Sequence, residues 1–140
     1  MSTIVVRPAR AEDVDAVLAL WDRAAGPTSQ PGTPASMTVL LARDPGALIV
    51  AELDRAIVGT LIVGWDGWRC HLYRLAVDAD HRRHGLATLL VARARERARE
   101  LGARRLDAMV DGNNELGVAF WSALGFTVLA PEDLRFCSLV

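Results

Sequence analysis

The order of strand and helix patterns along this 140-residue chain predicts a mixed α/β fold. The expected architecture is a mostly antiparallel central sheet of about seven strands flanked by four helices. Three observations lead there. Short β-branched runs cluster around Gly46 to Val77. A long helical stripe occupies Gly85 to Leu101. The whole order reads strand, two helices, three strands, helix, strand, helix, two strands.

The elements follow in turn. Thr3 to Arg7 (TIVVR) reads as a first strand, ended by Pro8. Val14, Val17, Leu18 and Trp21 recur at i, i+3, i+4 and i+7, a single helical stripe. Glu12 and Asp13 fall in its first turn, where carboxylates favour the positive helix end. Trp21 on that stripe is read as core, with lining of an acceptor cleft as the alternative. Gly26-Pro27 stops the helix, and Gly26 to Ser36 reads as a loop near a site. A short helix spans about Ala35 to Arg43.

Gly46 to Leu53 and Ala56 to Trp65 form strands around Asp54-Arg55. Asp66-Gly67 then sits between Trp65 and Trp68, a two-residue hairpin signal in which both turn positions need positive φ. Trp65 and Trp68 are expected to face each other as a cross-strand pair. Arg69 to Val77 completes an antiparallel meander. From Gly85 a helix carries Ala87, Leu90, Val91, Ala94, Ala98 and Leu101 on one stripe and stops at Gly102. Arg104 to Asp111 is a strand, Glu115 to Leu124 a helix, and Phe126 to Ala130 and Leu134 to Val140 two last strands.

Composition bounds the function. The length suits one domain, residues 1–140. Sixteen basic against seventeen acidic residues leave a net charge of -1, which speaks against a nucleic-acid partner. Every basic residue besides histidine is arginine, so Schiff-base and Walker-type lysine chemistry is excluded. Cys70 and Cys137 have neither disulfide-framework nor zinc spacing and are read as core residues of a protein in a reducing compartment. No signal peptide or membrane-spanning run is evident, so a cytoplasmic, membrane-free location is expected. No metal site is expected.

Chemistry concentrates at Leu72 to Leu90. His81, Arg82, Arg83 and His84 run into Gly85 and a helix start. A solvated charge run would look the same. Yet the unpaired first amides of a helix and its dipole make an anion seat, and Gly85 allows close backbone approach while Ala87 keeps the next contact small. A pyrophosphate fits such a seat. A P-loop needs a lysine, and a dinucleotide fingerprint needs three glycines after a first strand; neither is here.

LAVDADHRRHGLATLL resembles the coenzyme A motif of the GCN5-related N-acetyltransferase (GNAT) family, Arg/Gln-x-x-Gly-x-Gly/Ala, filled by Arg82, Gly85 and Ala87. NELGVAFWSALGF is similar to a second family block, matched by Asn114, Gly125 and Phe126. The resemblance implies an acetyl-CoA-dependent N-acetyltransferase with the acyl-CoA N-acyltransferase fold. It implies that backbone groups of Leu75, Ala76 and Val77 pair with the pantetheine arm, that the Val77 amide faces the acyl oxygen, and that strands four and five splay after Val77. It further implies that amides from Arg83, His84, Gly85, Leu86, Ala87 and Thr88, with Arg82, hold the pyrophosphate. Asn114 touches pantetheine or orders the loop; a plain helix cap is the equal alternative.

The family's acid cannot be copied. Its tyrosine position is Trp121, too weak an acid, and the glutamate some members use is Met109. His71 and Tyr73 remain, two apart and so on one strand face. They resemble the paired histidines of the arylalkylamine acetyltransferases. His71 would draw a proton through water and Tyr73 would shuttle it or protonate the thiolate, unless both simply pack. Asp111 is a weaker base candidate. His81 and His84 are expected to face solvent beside the phosphates.

The expected acceptor is a small amine or a protein amino group, attacked directly in a ternary complex; a homodimer is compatible with this reading. The alternative is an acyl-CoA sensor without turnover, kept open by Trp121. A toxin that acetylates charged tRNA fits the near-neutral charge poorly.

Overall fold

Strand-forming sequence and tight connections build the sheet of this computed structural model, which describes residues 3–24, 31–110 and 114–129. The chain divides into two compact units, residues 1–109 and 110–140.

The first unit holds a five-stranded sheet in chain order: β1 (Ile4–Pro8), β2 (Leu48–Leu53), β3 (Ala56–Trp65), β4 (Cys70–Val77) and β5 (Leu106–Ala108). The first four are antiparallel, and β5 joins β4 in parallel. Five strands thus replace the expected seven among the described residues. Residues 126–129 form no strand, and 134–140 lie outside the described residues. Of the strand expected over Arg104 to Asp111, the described residues form Leu106–Ala108.

The β2–β3 connection is the two-residue hairpin, with Leu53 opposite Ala56 and positive φ at Asp54 (49°) and Arg55 (71°). The Asp66-Gly67 connection differs from its expected form. Only Gly67 has positive φ, and Trp65 pairs with Cys70, so the link runs from Asp66 to Arg69. The cause is the Asp66 carboxylate, which accepts from the amides of Trp68 (2.8 Å) and Arg69 (2.9 Å) and so closes a wider turn. The expected Trp65–Trp68 pair is therefore absent from the register, and Trp68 projects into solvent.

Helices cover both faces. α1 (Val14–Ala24) follows a 3-10 turn at Ala11–Asp13, and α2 (Pro34–Arg43) starts at Thr33, whose hydroxyl accepts from Ser36 N–H. Val17 and Trp21 of α1 and Met37 of α2 pack with Leu48, Val50 and Ile62. α3 (Leu86–Leu101) packs against β3 and β4 on the opposite face, burying Leu86, Leu90, Val91, Ala94 and Ala98. β3 divides between the layers as period two requires: Gly59 lies under Leu90, whereas Thr60 and Ile62 face α1.

Asp13 does more than complement a helix end. It is buried and takes two bonds from the Arg7 guanidinium (2.7 and 3.0 Å) and one from the Arg10 amide (2.7 Å). Arg7 also reaches Glu52 at 2.9 Å, tying β1 to β2 and to the start of α1.

In the second unit, α4 (Glu115–Ala123) is followed by Leu124 and the left-handed Gly125. Trp121 meets Phe120 and Phe126 edge-to-face, with centroids 5.3 and 4.9 Å apart.

Candidate active site

β4 changes partners halfway along. Cys70, His71 and Leu72 pair with Leu106, Asp107 and Ala108 of β5. No pairing with β5 follows among the described residues, so Leu75 to Val77 keep an open edge on that side. The strands part after Leu72, five residues before the expected point at Val77, because β5 ends at Ala108.

The inner edge carries a second irregularity. Thr60 faces Ala76 and Ile62 faces Tyr73, so Arg74 and Leu75 together oppose Leu61. This is a β-bulge, and Arg74 adopts φ 57°, a conformation that glycine ordinarily supplies at such a position. The bulge twists the second half of β4 and reverses its alternation, so Ala76 lies on the face that Tyr73 occupies.

The chain then runs through a 3-10 turn (Ala79–His81) to the start of α3. Asp78 N–H still bonds Val58 carbonyl at 2.8 Å, and Arg82 Nε donates to Val77 carbonyl at 3.4 Å. Arg82, Arg83 and His84 are exposed, Arg83 with φ 67°. Gly85 precedes the helix at φ 77°, and a Cβ there would meet nothing within 4 Å. The ladder opens with Leu89 N–H to Gly85 carbonyl, 3.0 Å, so the amides of Leu86, Ala87 and Thr88 come before it. Leu86 anchors this entrance through its buried side chain and can offer a ligand only its amide. The entrance of α3, where the anion seat is expected, and the open β4 edge thus belong to one continuous strand–turn–helix.

His81 departs from its expected exposure. It is half-buried, and its Nδ1 is enclosed, 3.8 Å from Asp78 Oδ2. The 3-10 turn folds the ring back towards Asp78. His84 is exposed as expected.

His71 and Tyr73 share a face, opposite Cys70 and Leu72, which are buried. His71 Nε2 lies 3.2 Å from Asp66 Oδ2, and Nδ1 lies 3.8 Å from Asp107 Oδ2. The Asp66 carboxyl is held down at about 2 by the amides of Arg69 and Trp68 and by His71 itself. It is therefore an acceptor, and the Nε2 contact requires a proton on that nitrogen. In the neutral ring Nδ1 is then the bare nitrogen. Asp107 also receives Arg105 Nε at 2.7 Å.

Tyr73 stands over Gly64, where an added Cβ would lie 3.3 Å from the ring and 3.6 Å from the hydroxyl. Partial burial raises the phenol above its ordinary value, so it carries its proton at neutral pH. Burial likewise pushes the Cys70 thiol up, which suits its expected place in the core.

Asn114, in the second unit, accepts from Gly117 N–H at 3.0 Å and so caps α4. Trp21 is buried, matching its reading as core. Asp111 and Cys137 lie outside the described residues. The sequence reading missed Asp66 and Asp107 as partners of His71. Asp66 had an audible signal, a carboxylate in the turn feeding β4. Asp107 had none, because the parallel β4–β5 register is set by tertiary packing.

Comparisons with known proteins bear on the family and the fold. The sequence profile of the acetyltransferase (GNAT) family matches residues 14–126. An acetyltransferase of Photorhabdus laumondii is 30% identical over 133 residues, covering 94% of this chain and 92% of its own. A Mycobacterium tuberculosis protein solved in complex with CoA is 25% identical at a TM-score of 0.76, covering 94% of this chain and 76% of that one. Ard1 from Thermoplasma volcanium shares the fold at a TM-score of 0.79 and 20% identity, covering 91% and 84%. With an open β4 edge leading into the entrance of α3, and a family profile matched from α1 through α4, this chain belongs to the acetyltransferase (GNAT) family.

Proposed function

We propose that residues 1–140 form one acetyl-CoA-dependent N-acetyltransferase domain that moves the acetyl group directly to an amine. The observation that carries this reading is the continuity of the open Leu75–Val77 edge with the seat at Gly85. A pantetheine arm adds to that edge as an extra strand, with alternate amides and carbonyls as its partners. The amides of Arg83 to Thr88 hold the pyrophosphate, and the space over Gly85 admits it. Arg82 adds charge and His84 a further polar group at the rim.

Transfer asks for three services. The Val77 amide donates to the carbonyl oxygen as it gains charge. His71 Nδ1 takes the amine's proton through water, and Asp66 keeps the opposite proton on Nε2. Asp107 offsets the imidazolium that forms. The amine nitrogen bonds the carbonyl carbon, the carbon–sulfur bond breaks, and Tyr73 gives its proton to the departing thiolate. His71 returns the proton to Tyr73 through solvent, which closes the cycle. Cys70 is buried on the other sheet face and takes no covalent part.

The acceptor is a small amine or a protein amino group, and the reaction belongs to the cytoplasm. No helix among the described residues is long and apolar enough to cross a membrane. Net charge of -1 disfavours a nucleic-acid acceptor.

Calorimetry with CoA and acetyl-CoA, followed by free-thiol release across an amine panel, tests this. Binding with acceptor-dependent thiol release is expected. Binding with no release from any amine favours the sensor alternative, and no binding overturns both.

A further inference from the structure

Three residues from three elements close a ring behind the β4 bulge. Trp21 Nε1 in α1 donates to Thr60 Oγ1 in β3 at 2.8 Å. The Thr60 hydroxyl donates to the Arg74 carbonyl in β4 at 2.9 Å. The Arg74 guanidinium lies 4.7 Å from the centre of the Trp21 ring. Thr60 is 0% exposed and Trp21 5%, so water does not compete for these bonds.

Two of its members are out of place unless the ring has a purpose. Mid-strand in a buried β3, valine would fill the volume of Thr60 without a hydroxyl to satisfy. Arg74 sits at positive φ, where its Cβ is disfavoured and glycine would not be. The polar ring spans the one point where the β3–β4 register slips.

We propose that Trp21 and Thr60 are positioning residues that hold Arg74 in its left-handed conformation, and that the resulting bulge aims the Leu75–Val77 edge at the acyl end of the co-substrate. The functional half rests on the acetyl-CoA reading above. The pyrophosphate seat at Gly85 lies beyond the bulge along the chain, so the two halves of the co-substrate depend on the ring unequally. Ring loss weakens the hold on the acyl-bearing arm and leaves the phosphate hold in place.

The test uses the full chain and two readouts. The first is the Arg74 backbone in the ligand-free protein, followed by its amide–Hα coupling and Cα shift. Thr60→Val abolishes the left-handed signature, Thr60→Ser retains it, and Trp21→Phe weakens it. The second is calorimetric binding of acetyl-CoA against 3′-phospho-ADP, which carries the pyrophosphate without the arm. Thr60→Val weakens acetyl-CoA about tenfold, as loss of one buried hydrogen bond allows, and leaves 3′-phospho-ADP within about twofold. Adding Arg74→Gly to Thr60→Val restores acetyl-CoA binding, because glycine holds positive φ unaided.

An unchanged Arg74 signature in Thr60→Val overturns the proposal, as does equal weakening of both probes, which marks general loosening of the fold. Should Thr60→Val fail to fold, Trp21→Phe and Thr60→Ser carry the same comparisons. Wild-type protein that binds neither probe overturns the coenzyme reading and with it the functional half, while the Arg74 signature still decides the structural half.

Discussion

Asp66 in the turn before β4 holds its carboxylate 3.2 Å from Nε2 of His71, inside the strand that the turn feeds. The turn and the candidate base are thus one unit. Two backbone amides secure the carboxylate, which faces one ring nitrogen and leaves the other free of it.

Asp66→Asn is expected to lower turnover at least about tenfold while acetyl-CoA affinity stays within about twofold, since positioned acid–base help is worth larger factors than that. With its carboxyl at about 2, Asp66 remains ionised across the neutral range. A break in the wild-type pH–rate profile between about pH 5 and 9 therefore belongs to another group. Steady-state kinetics across that range, with calorimetry for binding, checks both points.

Tyr73→Phe removes the proposed proton donor and keeps the ring over Gly64. A fall in kcat of about a hundredfold is expected, with co-substrate binding unchanged. Turnover equal to wild type would return Tyr73 to a packing role. Because burial raises the Tyr73 phenol, its loss of activity by ionisation falls on the alkaline side, above the ordinary tyrosine range.

Gly85→Val separates the ligand's space from the protein's own. A Cβ at Gly85 meets no atom within 4 Å, so the fold loses only the cost of a left-handed backbone, about 1–2 kcal/mol. The side chain instead enters the volume proposed for the phosphates. Loss of CoA binding with a modest drop in melting temperature is the expected pair of results.

Asp13→Ala tests the β1–β2–α1 clamp. The substitution leaves the Arg7 guanidinium part-buried without its main partner, and a loss of about 3 kcal/mol is expected by chemical denaturation. The Arg7 bonds hold the Asp13 carboxyl below its ordinary value. Its stabilisation is therefore complete above the unfolded carboxylate range and fades as pH falls through the folded value. The variant accordingly loses less stability than wild type between neutral pH and about pH 3.

Local sequence was enough to read the order of elements from β1 to α4, the meander of β2 to β4 and the helix running from Gly85 to Gly102, and to suggest an anion seat at that helix's start. Those features are local: apolar period, chain-reversing pairs and a glycine ahead of an apolar stripe act over a few residues. It also placed His71 and Tyr73 on one face, because no irregularity falls between them. The rest came from contacts made only in the folded chain. The slip at Arg74 depends on a hydroxyl from β3 and an indole from α1, neither of them near Arg74 in the chain. The early parting of β4 from β5, and with it the Asp107–His71 contact, depends on a parallel register that no turn dictates. The Trp65–Trp68 pair failed because the Asp66 side chain, free to bond two amides ahead, chose a wider turn than the Asp-Gly dipeptide advertises. Alternation and capping are written in neighbouring residues, whereas register and bulges are settled by partners that meet only once the chain has folded.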